Sequence, residues 1–164
     1  MAGYAGLSFL VTTARTTCRI SAGLEREKEM PPRDDPIRLL YVLYFVPCEV
    51  MYQHHLRLKP YFLSGDPETT DAARQEFFAF THFWFASLYV VAEGWKELKI
   101  PAHDITQMIE MHIDSLRLLR NAVYHFQRGD RKHAQFFDAD KFNWAQNIHL
   151  ALRRYFAAKG WYHG

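Results

Sequence analysis

Arg120 and His125 form the residue pair in this chain whose types and spacing best suit catalysis. Four residues separate them, and a polar residue, Asn121, directly follows the arginine inside a segment that reads as helix. A guanidinium that is always charged, next to an imidazole that titrates near neutral pH, suits the cleavage of a phosphodiester. The spacing therefore indicates phosphoryl chemistry at this segment.

RNA cleavage without a metal needs a base for the 2′-hydroxyl proton, an acid for the leaving 5′-oxygen and a cation for the transition-state charge. His125 is the candidate base or acid, and Arg120 is the candidate cation, since its fork of N–H groups matches phosphate oxygens. Asn121 would orient the imidazole or bind phosphate, and Tyr124 would stack on a base or donate a hydrogen bond. Arg117 is read either as a substrate contact or as a surface or interface ion pair. The alternative for all of these residues is a role without catalysis, on a helix face that is exposed to solvent.

The elements that must position these residues are helices, and the sequence predicts an all-α, antiparallel bundle of four to five helices. Asp35 followed by Pro36 is a typical helix start, and Pro47 should kink the helix that follows. Gly160 is the expected C-cap of the last helix. The expected helices span about 36–59, 68–98, 104–127 and 138 or 140 to 159.

The expected third helix carries the Arg120 segment on a stripe that adjoins its apolar stripe. On a helical wheel Arg120 lies over Tyr124, and Asn121 lies over His125, each pair four residues apart. Arg120 and His125 are separated by about 140° on this wheel, so either a long arginine side chain or a two-fold partner must bring them together. The stripe expected to face the core contains Met108, His112, Leu116, Leu119, Val123 and Phe126.

Length and composition predict one domain, with 1–34 as an N-terminal arm, either a helix or a frayed segment, and 35–164 as the bundle. The net charge of +2 gives no argument for nucleic-acid binding, so such binding must come from a local patch. Aromatic residues make up 16% of the chain, and the segment 77–92 is apolar nearly all round, so an interface between two copies is expected. Two cysteines provide no disulfide framework, and the expected location is the cytoplasm, with no membrane helix.

Metal and cofactor sites are not expected. His54 and His55 are adjacent and point about 100° apart on a helix, which makes them poor ligands for one ion; a solvated C-terminal turn is the expected role. Di-iron, zinc-protease and P-loop motifs are absent from the sequence. Glu93 and Glu97 form one acidic pair without a second in register, so a helical pyrophosphatase is disfavoured.

The segment 118–126, Leu-Leu-Arg-Asn-Ala-Val-Tyr-His-Phe, resembles the signature of HEPN domains (higher eukaryotes and prokaryotes nucleotide-binding). The motif of that family is an arginine, four to six residues and a histidine, with a polar residue often following the arginine. Arg120, Asn121 and His125 match these three positions. The segment also lies late in the predicted bundle, with one helix after it, as in the family.

The resemblance implies a HEPN-like bundle and a homodimer whose interface, formed by the helix that carries the motif, holds both copies of the motif. It implies a metal-independent endoribonuclease that leaves a 2′,3′-cyclic phosphate and a 5′-hydroxyl. Members are often toxins or phage-defence proteins, and an antitoxin or a nucleotidyltransferase chain is an expected partner. The alternative implied by the resemblance is a non-catalytic dimerisation module that binds nucleotide, RNA or a partner protein.

Overall fold

Four helices form the part of the chain that the computed structural model describes, namely residue 32 and residues 34–63, 71–124 and 139–161. Helix α1 combines Pro36–Leu39, a π-helical turn Leu40–Phe45 and Val46–Leu63; α2 is Asp71–Glu97, α3 is His103–Tyr124 and α4 is Ala139–Ala158. No strand occurs in these ranges, so the prediction of an all-α bundle is confirmed. The predicted N-terminal arm lies almost entirely outside the described residues, and His125 and Phe126 lie outside them as well.

Local sequence signals fix both ends of the bundle. The Asp35 carboxylate accepts hydrogen bonds from the backbone N–H groups of Ile37 (2.8 Å) and Arg38 (3.4 Å), as expected of an N-cap. At the end of α4, Gly160 has a φ of 78°, which permits the chain to turn back. The Gly160 N–H donates to the carbonyl of residue 157 at 2.8 Å and the Trp161 N–H donates to that of residue 156 at 3.1 Å, the pattern of a Schellman motif.

The disturbance expected at Pro47 takes the form of a π-helical turn. Pro47 has no N–H, and its ring would clash with the carbonyl of Leu43 in a regular α-helix. The Val46 N–H instead donates to the carbonyl of Tyr41, five residues back, so the turn before the proline is widened. The helix then continues past Pro60 to Leu63, beyond the expected end near residue 59.

The core lies where α4 packs into the groove that the other three helices form. α2 lies between α1 and α3 and packs extensively against both. Close approach of α1 and α2 depends on Gly94, since a Cβ there would lie 2.6 Å from Cδ1 of Leu40. Aromatic rings fill much of the interior, and the largest fully buried side chains include Phe45, Tyr52, Trp84, Phe85, Trp95 and Phe156.

Candidate functional site

α3 turns its apolar side to the core and thereby sets the direction of Arg120. Its buried residues are Ile105, Ile109, Leu116, Leu119 and Ala122. Leu116 and Leu119 were predicted to be core residues, whereas Met108, His112 and Val123 are only half-buried. This packing places Arg120 and Asn121 at the margin of the core in the last described turn of α3, where both are half-buried.

The guanidinium of Arg120 is held in place from two sides. Its Nη1 donates a hydrogen bond to Oδ1 of Asn121 at 3.0 Å, and its Cζ lies 5.5 Å from the centre of the Tyr89 ring on α2. A cation over an aromatic face contributes about 0.5–1 kcal/mol at such a site. The Tyr89 hydroxyl in turn donates to Oε1 of Glu93 at 2.9 Å. The contacts fix a cation at the α2–α3 margin and leave further N–H donors on the guanidinium.

Charges around Tyr89 act in opposite directions on its hydroxyl. The hydrogen bond to Glu93, followed by burial and the carboxylate charge, raises the pKa of Tyr89, while Arg120 and Arg117 oppose this shift. The phenol is therefore neutral at physiological pH and serves as a donor. The sequence did not indicate Tyr89 as part of this site, because this residue lies within an apolar run of α2, 31 positions before Arg120.

The predicted site residues are only partly brought together in the described residues. Arg120 contacts Asn121 and Tyr89. The helical wheel predicted Tyr124 as its neighbour four residues later, and Tyr124 is exposed at the end of α3. Arg117 forms an ion pair with Asp114 at 3.1 Å on the exposed side of α3. His125 lies outside the described residues, so its distance to Arg120 stays a prediction.

A second polar cluster, which the sequence did not reveal, lies inside the bundle between α1 and α4. Glu49 is buried, and its Oε2 lies 2.8 Å from Nε2 of His149 and 3.0 Å from Nε of Arg153. Arg153 also donates to Oε1, which gives a bidentate fork, and Nε2 of Gln53 donates to the same oxygen at 2.6 Å. Burial raises the pKa of Glu49, but the hydrogen bonds from His149, Gln53 and Arg153 outweigh it and lower the pKa to about 2.

The hydrogen bonds of His149 fix its tautomer. The indole of Trp84 can only donate, and its Nε1 lies 3.2 Å from Nδ1 of His149, so Nδ1 is the acceptor. The proton is therefore on Nε2, where it is donated to Glu49. Burial lowers the pKa of His149 despite the opposing effect of Glu49, which agrees with a neutral imidazole. The ring is therefore a core histidine whose two nitrogens both have hydrogen-bond partners.

Cys48 stands beside this histidine without the properties of a nucleophile. Its Sγ lies 3.7 Å from Nδ1 of His149, which together with Glu49 gives the outline of a Cys-His-Glu triad. The thiol, however, is fully buried, and burial followed by the Glu49 charge raises its pKa. A buried, protonated thiol attacks substrates poorly, so the cluster serves the fold and Arg120 remains the better candidate for chemistry.

His55 corrects an expectation about the end of α1. The helix continues for two turns beyond it, and the imidazole is buried, with Nδ1 2.8 Å from Oγ1 of Thr81. Thr81 donates its own proton to the carbonyl of Phe77 at 2.7 Å, so the imidazole Nδ1 carries the proton in this pair. Burial, followed by the charge of Lys59, lowers the pKa of His55 to about 4. A solvated C-terminal turn was therefore the wrong role for this residue.

A groove of about 540 Å³ between α3 and α4 lies apart from these clusters. Asp104, Met108, Leu150 and Arg154 are among its lining residues. Asp104 lies in the first turn of α3, and Arg120 follows 16 residues later, or about 24 Å along the helix. The groove and the Arg120 site therefore occupy opposite ends of α3.

The described residues define the protein as an all-α bundle with a fixed arginine at the end of its third helix. Within the described ranges no three His, Cys, Asp or Glu side chains gather in an arrangement that could hold a metal ion. The four described helices include none with the length and apolar character needed to cross a bilayer. Comparisons of the chain with protein-family models, curated proteins and solved structures find no match.

Proposed function

We propose that the chain is a metal-independent endoribonuclease of the HEPN type that acts as a toxin or in phage defence. The observation that supports this proposal most strongly is the fixation of Arg120 by Asn121 and Tyr89 at the margin of the core. A cation that is positioned before substrate arrives needs no reorganisation during the reaction, which is the basis of electrostatic catalysis. His125 follows five residues later in the sequence.

In the proposed reaction an imidazole of His125 removes the proton of a ribose 2′-hydroxyl. The 2′-oxygen attacks the adjacent phosphorus, the bond to the 5′-oxygen breaks, and that oxygen takes a proton from an imidazolium. The products are a 2′,3′-cyclic phosphate and a 5′-hydroxyl, and no water or metal enters the step. Arg120 stabilises the extra negative charge on the phosphoryl oxygens, and Asn121, whose amide N–H groups have no partner among the described residues, binds a phosphate oxygen or orients the imidazole.

The proposed enzyme is a homodimer through α3. Met111 and Leu118 lie seven residues apart on the outer side of this helix and are 63% and 61% exposed. Asn121 continues the same line toward the end of the helix, at the spacing of three and four residues that aligns side chains. Two copies of this face would bury both apolar side chains and bring the two motif ends close together. An antitoxin or a nucleotidyltransferase chain would regulate such a dimer in the cytoplasm.

The second candidate function is a non-catalytic module that dimerises and binds RNA, nucleotide or a partner protein. The contacts of Arg120 also favour this alternative, because the guanidinium links α2 to α3 through Tyr89 and already has an internal role. On this hypothesis Arg120 stabilises the bundle and the nucleic acid binds without being cut. Tyr124 and Arg117, which are both exposed, would then contribute to binding only.

Incubation of the purified full-length protein with labelled RNA in excess EDTA tests the proposal. We expect cleavage to products with a cyclic phosphate, reduced by about 100-fold or more in Arg120→Ala and in His125→Ala. Arg74→Ala is the matched control, because Arg74 is an exposed arginine on α2 with a single ion pair to Asp71. Circular dichroism must show that Arg120→Ala stays folded, since it loses the contact with Tyr89. Binding of RNA by the wild type without any cleavage would favour the second candidate.

A further inference from the structure

The outer face of the first half of α1 carries an apolar surface that the bundle does not cover. Leu39, Leu43, Val46 and Val50 are each between 39% and 56% exposed, and we call these four residues the α1 stripe. Large apolar side chains that are exposed singly are ordinary on protein surfaces, whereas a contiguous group indicates an interaction site. Val42 and Tyr44 are exposed on either side of Leu43, so three consecutive residues of the π-helical turn are exposed.

Charge is absent from this face. Residues 39–53 include one charged side chain, Glu49, and that carboxylate points inward to His149 and Arg153. A helix face that meets only water normally carries charged residues along its length. The α1 stripe therefore has the composition of a surface that is covered in the functional state.

The spacing of the α1 stripe fits a second copy of the same helix. The four residues of the stripe are spaced four, three and four positions apart along the sequence. This series of spacings is the same when it is read from either end of the stripe. An isologous contact between two copies requires such a self-complementary surface. Two antiparallel α1 helices related by a two-fold axis between residues 44 and 45 would place Leu39 opposite Val50 and Leu43 opposite Val46, so that each contact joins a leucine to a smaller valine.

We propose that the α1 stripe is an interface between two copies of this chain. With Val42 and Tyr44 at its margin the exposed area is roughly 500 Å² per copy, so two copies bury about 1,000 Å², the lower limit for a specific interface. Since α2 lies between α1 and α3, this interface is separate from the proposed contact through α3. The inference does not depend on the ribonuclease activity.

Light scattering of the full-length protein during size-exclusion chromatography tests the interface. The wild type should have at least twice the 19.4 kDa mass of one chain, and Leu43→Asp should halve the wild-type mass. By the two-fold symmetry this variant has an aspartate in two of the four apolar contacts, which should raise the dissociation constant by about 100-fold or more. Leu63→Asp is the matched control: the same change on the same helix, at a residue that is 67% exposed and outside the stripe, should leave the mass unchanged.

The two proposed interfaces can be distinguished. Leu118→Asp perturbs only the α3 face, so it should leave the contact through the α1 stripe intact. A wild type that stays monomeric at all concentrations, or a Leu43→Asp protein that keeps the wild-type mass, overturns the inference. Loss of RNA cleavage in Leu118→Asp together with a mass change in Leu43→Asp supports both proposals. A mass change in Leu43→Asp in a protein that cleaves no RNA supports the α1 interface alone.

Disulfide formation between variants that each carry one introduced, exposed cysteine tests the register. In a Cys18→Ser background, with Cys48 fully buried, Leu43→Cys and Val46→Cys proteins are mixed and mildly oxidised. We expect a disulfide between the two different chains, since these positions face each other across the proposed axis. The control mixture of Leu63→Cys with Val46→Cys should not cross-link. Equal cross-linking in both mixtures would contradict the antiparallel arrangement.

Discussion

Acidification from about pH 7 to about pH 5 should destabilise this fold through His55. The imidazole is buried among aromatic rings, and the centres of the Phe77 and Trp84 rings each lie 5.0 Å from its own. Its pKa is about 4 in the folded chain, whereas that of an exposed histidine is about 6.5. Between these values the unfolded chain binds a proton that the folded chain does not.

The sign and size of the effect follow from this difference. Because the folded pKa is lowered, the stability associated with His55 is complete above about pH 6.5 and is lost as the pH falls toward 4. At about pH 5 the loss is about 2 kcal/mol. Glu49 contributes little in this range, because its carboxyl group is largely ionised in both states above about pH 5: its pKa is about 2 in the folded chain and about 4.3 in the unfolded chain. His149 changes stability in the same direction because its pKa is also lowered by burial.

Urea denaturation followed by circular dichroism at both pH values measures the loss. In His55→Gln the loss of stability between about pH 7 and about pH 5 should be smaller by about 2 kcal/mol, although the variant is less stable at either pH. The glutamine amide can still donate to Thr81, so the hydrogen bond is preserved while the titrating group is removed. The dependence of the free energy of unfolding on urea concentration should stay the same.

His54→Gln is the matched control for this measurement. His54 is the preceding residue, stacks on Phe80 at 4.3 Å between ring centres and lies 2.8 Å from Nη2 of Arg57 on a more exposed side of α1. This variant should keep the wild-type dependence on pH. If His55→Gln loses as much stability on acidification as the wild type, the reasoning from burial is refuted. An equal change in both variants would refute it as well.

Two further predictions concern the Glu49 cluster and the helix ends. Arg153→Ala should lower the free energy of unfolding by about 3 kcal/mol, because the buried Glu49 carboxylate loses its counter-charge. Arg154→Ala, the control at the next and exposed position, should change this free energy by less than about 0.5 kcal/mol. Equal effects of the two variants in urea denaturation would contradict the role assigned to Arg153. Lys99→Gly should raise the free energy of unfolding by about 1 kcal/mol, because Lys99 has a φ of 48° at the end of α2, a conformation that favours glycine. Gly160→Ala should lower the free energy of unfolding by about the same amount, because Gly160 also has a positive φ. Melting temperatures that move in the opposite directions would show that backbone strain does not limit stability at these ends.

Features that depend on a few neighbouring residues could be predicted from the sequence. Asp35 and Pro36 mark the start of α1 because an N-cap carboxylate acts over three residues, and Gly160 marks the end of α4 because only its own φ and the last turn are involved. Pro47 indicated a disturbance of α1, but a helix can accommodate a proline, which lacks a backbone N–H, either by a kink or by a widened turn. The choice between them depends on packing, which the sequence does not show.

Features that depend on packing between helices could not be predicted. Glu49 and His149 are 100 positions apart, and nothing near either residue indicates that they meet. The contact of Arg120 with Tyr89 likewise requires the register of α2 against α3, whereas a helical wheel shows only neighbours on the same helix. The buried role of His55 was missed for a related reason, since the expected helix end near residue 59 made it a terminal residue.

The π-helical turn has a consequence for the length of the chain. One additional residue in a helix rotates everything after it by about 100°, and α1 touches the last part of the chain both near the start of this turn and after it. Tyr41 donates its hydroxyl proton to the carbonyl of Trp161 at 2.6 Å, and Glu49 binds His149 eight residues further along α1. A single-residue deletion between positions 41 and 46 would turn one of these two anchors away from its partner. Proteins descended from a common ancestor with this one should therefore keep the number of residues between the two anchors constant, even where the residues themselves change.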